Sequence, residues 1–101
     1  MEYTVDESDS EFAARLSGEL SFVDHQRFRD LLDKMKASKK MTVVLNVRGV
    51  SSIDSAGIGM LLIAAEQAKL NSQSFSVDKP SGQVEKILDL SNLDKVFDIT
   101  R

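Results

Sequence analysis

Cysteine is absent from the 101 residues, and histidine occurs once, as His25. Without cysteine there is no disulfide framework, no thiolate metal site and no cysteine nucleophile. One histidine excludes a multi-histidine metal centre. An excess of positive charge is missing too. The 13 Lys and Arg stand against 16 Asp and Glu, a net charge of −3, so the cationic field of a general nucleic-acid binder is not there. No apolar run reaches the roughly 18–20 residues of a membrane-spanning helix. The opening segment MEYTVDESDSEF is acidic. It has neither a basic n-region nor an apolar h-region and does not read as a secretory signal. What is there is ordinary for a folded chain: 42% hydrophobic and 29% charged residues, too apolar for disorder. The length fits one domain, 1–101, and the expected location is the cytoplasm.

Apolar and polar residues alternate from Met1 to Val5 and again from Phe12 to Leu16. This predicts two half-buried strands joined as an antiparallel hairpin, with Gly18 ending the second. Ser21 followed by Asp24 forms a capping-box pattern. Phe28, Leu31, Leu32 and Met35 then recur at helical spacing, which predicts an amphipathic helix over 23–37. Lys34, Lys36, Lys39 and Lys40 at its end complement the helix dipole and stay solvated. Met41–Val47 (MTVVLNV) is nearly continuous and β-branched, the pattern of a central parallel strand covered on both faces. A helix follows from Ile58 to about Asn71. A short strand follows at Phe75 and Val77, so these elements make a βαβ unit. Ser81 opens a short helix carrying Val84, Ile87 and Leu88. Val96, Phe97 and Ile99 suggest a last strand. The expected fold is α/β: a mixed sheet of four or five strands with three or four helices.

The informative stretch is VSSIDSAGIGMLLI, Val50–Ile63. A buried strand runs into Asp54-Ser55-Ala56-Gly57, which opens a helix. The carboxyl end of a central strand is where α/β folds place their ligands. First-turn amides lack intrahelical partners and favour an anion. A phosphoryl group on Ser55 would lie in that field, with the Asp54 carboxylate opposing it. The plain alternative is that Asp54 or Ser55 merely caps the helix, and that Gly57 and Gly59 merely allow close packing.

Enzyme motifs fail one by one. A dinucleotide fingerprint needs glycine where Leu62 stands, and no phosphate-binding loop ending in Gly-Lys-Ser/Thr occurs. A nucleophile elbow around Ser55 needs glycine at Ile53. His25 precedes Ser55 and reads as a surface helix residue. No cofactor and no metal are expected, and the residues point to a regulatory or binding module. In the second helix, Ile58, Leu61, Leu62 and Ala65 define the expected core face. Ala56, Met60, Ile63, Ala64 and Gln67 fall opposite. That side is apolar, so either another element covers it or it is a contact patch for a partner, to which Met60 would adapt well.

Taken together, LSGEL (Leu16–Leu20), VVLNV (Val43–Val47), VSSIDSAGIGMLL (Val50–Leu62) and LDLSNLDKVFDI (Leu88–Ile99) resemble the STAS domain family, and within it the anti-sigma factor antagonists of bacteria. The resemblance implies a small α/β domain whose helices pack largely on one side of the sheet. It makes Ser55 the regulatory phosphorylation site. It also implies that the unphosphorylated protein binds an anti-sigma factor with serine kinase activity, freeing a sigma factor. A PP2C-type serine phosphatase would reverse the modification. The implied contact surface comprises Ser21 and Asp24 on one side, and Asp54, Ser55, Ala56, Gly57, Gly59, Met60 and Ile63 on the other. Asn71 and Asn92 stand where many members have glycine, and asparagine tolerates the left-handed backbone of such turns. STAS domains also serve as accessory subunits of lipid or solute transport complexes, where phosphorylation would be irrelevant.

Overall fold

Period-two segments put alternate side chains on opposite faces of a strand, and the first two such segments pair with their apolar faces in register. The computed structural model describes residues 1–101. β1 (Glu2–Glu7) runs antiparallel to β2 (Glu11–Leu20), with Tyr3 opposite Leu16 and Val5 opposite Ala14. A 3-10 turn, Phe22–Asp24, leads into α1 (His25–Ser38), which buries Phe28, Leu31 and Met35. Lys39, in the left-handed conformation, ends it. β3 (Thr42–Ile53), α2 (Ser55–Leu70), β4 (Ser74–Asp78), α3 (Gly82–Leu90), a 3-10 turn at Leu93–Lys95 and β5 (Asp98–Thr100) complete the chain.

The five strands lie in sequence order, and every pair after the β1–β2 hairpin is parallel. Three successive crossovers therefore step in one direction across the sheet. Crossovers of one hand stepping one way lay their helices on one face. The burial pattern shows it. Val43, Leu45 and Val47 are fully enclosed, with Phe12 and Ala14 from β2 and Phe75 and Val77 from β4 on the same face. Val44 and Asn46 point the other way and are only half-buried. The continuous apolar run at Met41–Val47 thus marks a central parallel strand, as expected, but one covered on a single face.

Three local expectations change. Gly18 does not stop β2. Its positive φ of 85° accompanies register shifts against β3, and the strand continues to Leu20, opposite Ile53. A glycine can absorb such a bulge without ending the pairing, so β2 and β3 arrive together at the same edge of the domain. Asn92 is left-handed as expected, but at the end of α2 the left-handed residue is Ser72, not Asn71. Val96 is exposed and lies outside the last strand; Phe97 is buried edge-on against Phe75, ring centres 5.6 Å apart.

The largest change concerns α2. Its buried residues are Gly57, Met60, Leu61, Ala64 and Ala68. Met60 and Ala64 therefore belong to the core, while Ile58, Leu62 and Ala65 are half-buried at its margin. The core face is turned by about a quarter of a revolution from the expected one. The sheet supplies the covering element. Only Glu66 and Lys69 carry charge in the helix, so its apolar pattern has no direction of its own. Small residues at Gly57, Ala64 and Ala68 let the helix lie close on the sheet, and that decides its rotation. No helix is long and apolar enough to cross a membrane.

Candidate functional site

The paired ends of β2 and β3 build the site. The Asp54 amide donates to the Leu20 carbonyl at 3.3 Å, so the residue after β3 is tied to the last residue of β2. Asp54 then caps α2. Its backbone is extended, and Oδ1 accepts from the Gly57 amide at 2.8 Å. Its other oxygen, Oδ2, accepts from the Phe22 amide at 3.3 Å. One carboxylate thus joins the first turn of α2 to the loop before α1. Gly57 is required by this packing: a Cβ there would sit 2.4 Å from the Leu20 carbonyl oxygen and 2.6 Å from Ile53 Cγ1.

Ser55 is the first residue of α2 and is exposed. Its hydroxyl takes no part in any hydrogen bond within the chain, whereas Asp54 supplies the cap. Between Arg48 and Lys69 the chain carries two charges, Asp54 and Glu66, both negative. A phosphoryl group on Ser55 would meet the partial positive charge of the helix terminus but no basic side chain from its own segment.

The exposed apolar residues next to this terminus are Phe22 (71% exposed) and Val23 (86%), with Ile63 (51%) two turns along α2. Phe22 and Val23 fall inside the Ser21–Asp24 segment of the implied surface, and Val23 lies in the 3-10 turn before α1 rather than at the start of the helix. Their signal is an apolar pair between the capping residues Ser21 and Asp24. Ala56 is half-buried. Gly59 faces open space, with nothing within 4 Å of a Cβ built on it. Ser55, Gly59 and Ile63 follow at i, i+4 and i+8, so they share one side of the helix. The structure thus brings Asp54, Ser55, Gly59 and Ile63 to a surface beside Phe22 and Val23. Gly57 and Met60 lie inside, packed against the sheet rather than presented at this surface.

Asp24 forms the expected capping box with Ser21 and takes on a further role. It is buried; Oδ1 accepts from the Met1 ammonium at 2.7 Å and Oδ2 from the Ser21 amide at 2.9 Å. Burial pushes its carboxyl up. The hydrogen bond and charge of the N-terminal ammonium, together with the bonds from Ser21, outweigh this and hold it below the ordinary value. Asp24 anchors the loop from within, and half-buried Ser21 is part of that anchor. A further residue beyond the reach of sequence reasoning is Gln83 of α3, whose side-chain amide pairs with the backbone of Ile53, one residue before Asp54. No group of three or more His, Cys, Asp or Glu side chains converges on a metal-sized site.

Comparison with known proteins agrees with this architecture. The family model described as "Mlab, STAS domain" matches residues 3–100. A STAS-domain containing protein of Pseudomonas aeruginosa is 31% identical over 90 residues, 89% of this chain and 88% of that protein. Among solved structures, an anti-sigma factor antagonist from Mycobacterium paratuberculosis superposes with a TM-score of 0.87 at 20% identity, covering 98% of this chain and 84% of that one. The antagonist SpoIIAA of Bacillus, in its unphosphorylated form, gives a TM-score of 0.76 at 21% identity, covering 99% of this chain and 89% of that one. The structural likenesses establish the fold. With the family match spanning nearly every residue, and with a parallel strand delivering Asp54-Ser55 to a helix terminus, the chain belongs to the STAS domain family.

Proposed function

We propose that this protein is a phosphorylation-switched regulatory binding protein of the cytoplasm, with no catalysis of its own. The unphosphorylated form docks an anti-sigma factor with serine kinase activity and so frees a sigma factor or a related target. Phosphorylation of Ser55 by that kinase turns docking off, and a PP2C-type serine phosphatase restores it. One observation carries this reading: Ser55 is exposed and its hydroxyl is unused by the fold, because Asp54 already caps α2. The capping explanation of the serine is thereby removed. Support comes from SpoIIAA, whose structure is known in unphosphorylated and phosphorylated forms.

The switch is electrostatic. Phosphorylation adds about −1.5 to −2 charge beside Asp54, next to exposed Phe22 and Val23. Burying that dianion in a dry interface without a partner costs several kcal/mol, and about 1.4 kcal/mol already changes affinity tenfold. The test is calorimetry against the kinase captured from the native host. Ser55→Ala is expected to bind as wild type and to resist phosphorylation. Ser55→Glu is expected to fold normally, since a carboxylate suits a helix N-terminus, and to bind at least about tenfold more weakly. Equal affinity for wild type and Ser55→Glu overturns the switch. The exposed apolar surface also suits a permanent interface in a lipid or solute transport complex. Stable co-purification with transporter subunits, indifferent to Ser55 substitution, would establish that second reading.

A further inference from the structure

The sheet face left open by the helices carries a cluster of donors that the fold does not use. Thr4 of β1, Arg15 of β2 and Asn46 of β3 are paired across the strands in one row, and cross-strand partners share a face. Ser17 and Arg48 stand two residues further along β2 and β3, so they lie on that face too. These residues and Gly49 line a depression of about 360 Å³. The register shifts here: Arg15 pairs with Asn46 but Ser17 with Gly49, so β3 carries one extra residue, a bulge. A Cβ at Gly49 would sit 3.0 Å from the Leu16 carbonyl oxygen and from Ser17 Cβ, so glycine keeps the floor bare. Asn46 Oδ1 accepts from the Arg48 amide at 3.0 Å, which orients the side chain and leaves Nδ2 free to donate. Arg48 makes no ion pair. The Thr4 and Ser17 hydroxyls are unused as well, since the hydroxyl bonds of the chain belong to other serines.

We propose that this depression binds a phosphate group, free or carried by a small ester, between Arg15 and Arg48. Neighbouring strands lie about 4.8 Å apart and alternate residues about 6.7 Å apart, so two guanidinium groups, two hydroxyls and one amide share a patch roughly 10 Å by 7 Å. All five are donors, and a guanidinium fork matches phosphate oxygens in pairs. Three carboxylates are near, and each is engaged. Glu2 lies on the rim but is held by Arg27 of α1 at 3.1 Å. Asp6 meets Arg15 at 3.3 Å with both side chains more than half exposed, a pair that holds weakly and yields to a dianion. Asp78, opposite Asn46 on β4, accepts from the Ser76 hydroxyl at 3.0 Å and does not line the depression. No aromatic ring offers a stacking surface to a nucleotide base, because the Tyr3 ring is covered by Lys34 of α1, its Nζ 5.1 Å from the ring centre. The ligand is therefore small and polar. Arg15, Ser17 and Arg48 are exposed, so water screens their charge and binding is weak, with Kd on the order of millimolar. Ser55 lies seven residues beyond Arg48, roughly 20 Å away along the strand direction, so this site is separate from the serine.

Amide chemical shifts of the isotope-labelled full chain, followed by NMR at constant ionic strength, test this. The probes are inorganic phosphate and glycerol 3-phosphate, with chloride as the blank. Saturable shifts are expected at Ser17, Asn46, Arg48 and Gly49 with either phosphate and not with chloride. Tighter binding of glycerol 3-phosphate would identify an ester as the ligand, and equal or tighter binding of inorganic phosphate the free ion. Arg48→Gln and Arg15→Gln are each expected to weaken binding at least about tenfold with the fold unchanged, since both residues are exposed and each supplies charged hydrogen bonds. Arg29→Gln, an exposed arginine of α1 away from the depression, is expected to bind as wild type. So is Ser55→Ala, whatever becomes of its docking to the kinase. Shifts that stay linear and spread over all the basic residues overturn the proposal. So does wild-type affinity in Arg48→Gln, or an equal loss in Arg29→Gln.

Discussion

The side-chain amide of Gln83 pairs with the backbone of Ile53 in both directions: Oε1 accepts from the Ile53 amide at 3.0 Å, and Nε2 donates to the Ile53 carbonyl at 3.2 Å. The amide substitutes for a neighbouring strand at the end of β3, one residue before Asp54. It ties α3 to the strand end that presents Ser55.

Gln83→Ala is expected to lower stability by about 1–3 kcal/mol, because it leaves both Ile53 backbone groups without this partner. Gln83→Glu keeps the shape but sets a second acceptor against the Ile53 carbonyl, so it is expected to be at least as damaging. Urea denaturation of the two variants beside wild type checks this. Wild-type stability in Gln83→Glu would show that water serves Ile53 equally well.

Asp54 and Ser55 should separate cleanly by stability. Asp54→Ala loses the cap on Gly57 and the link to Phe22, an expected cost of about 0.5–2 kcal/mol. Ser55→Ala removes a hydroxyl with no partner, and its expected effect is within about 0.5 kcal/mol. Thermal unfolding of both variants decides between them, and a larger loss in Ser55→Ala would make the serine the true cap.

The two motif glycines should also part company. Gly57→Ala forces a methyl against the Leu20 carbonyl and Ile53, an expected loss of about 1–3 kcal/mol. Gly59→Ala meets open space and relieves the entropic cost of a mid-helix glycine, an expected gain of about 0.5–1 kcal/mol. If Gly59 lies under the docked kinase, that more stable variant binds it more weakly. Denaturation and calorimetry on the same samples report both effects.

Lysine scanning of α2 tests its rotation. Met60→Lys buries a charge in the core and is expected to cost at least about 3 kcal/mol. Ile63→Lys is expected to leave the fold intact and weaken kinase docking, because Ile63 is exposed beside the site. A well-folded Met60→Lys protein would place that side chain at the surface after all.

Asp24 makes stability depend on pH. Its carboxyl ionises more readily in the folded chain than its ordinary value, about 3.9, because the bonds to the Met1 ammonium and Ser21 outweigh burial. The folded state therefore binds fewer protons at this site than the unfolded state. The Asp24 contribution is present above the ordinary value and is lost as pH falls through the lowered folded one. Asp24→Asn is expected to be less stable at neutral pH and to show a shallower acid decline below about pH 4. Equal slopes for the two proteins would rule the contribution out.

Much of this was legible in the sequence where the cause is local. Alternation set the strands at Tyr3–Val5, Phe12–Leu16 and Phe75–Val77, and helical spacing placed Phe28, Leu31 and Met35 inward. These patterns depend only on backbone geometry and the aversion of apolar side chains for water. Asp-Ser before a helical pattern likewise marked the helix terminus that carries the candidate site. Tertiary structure decided what neighbours in sequence could not. α2 is apolar nearly all round, so only its fit against Leu20 and Ile53 turned Met60 inward and Ile63 outward. Asp54 and Ser55 are both good caps, and only backbone direction after β3 gave the cap to Asp54 and left Ser55 free. Asp24 carried the signature of a capping residue and is one, but its second bond, from the Met1 ammonium, forms only when the start of the chain packs beside it. Gln83 carried no signal, because its partner lies thirty residues away in sequence and meets it only when α3 docks on the end of β3.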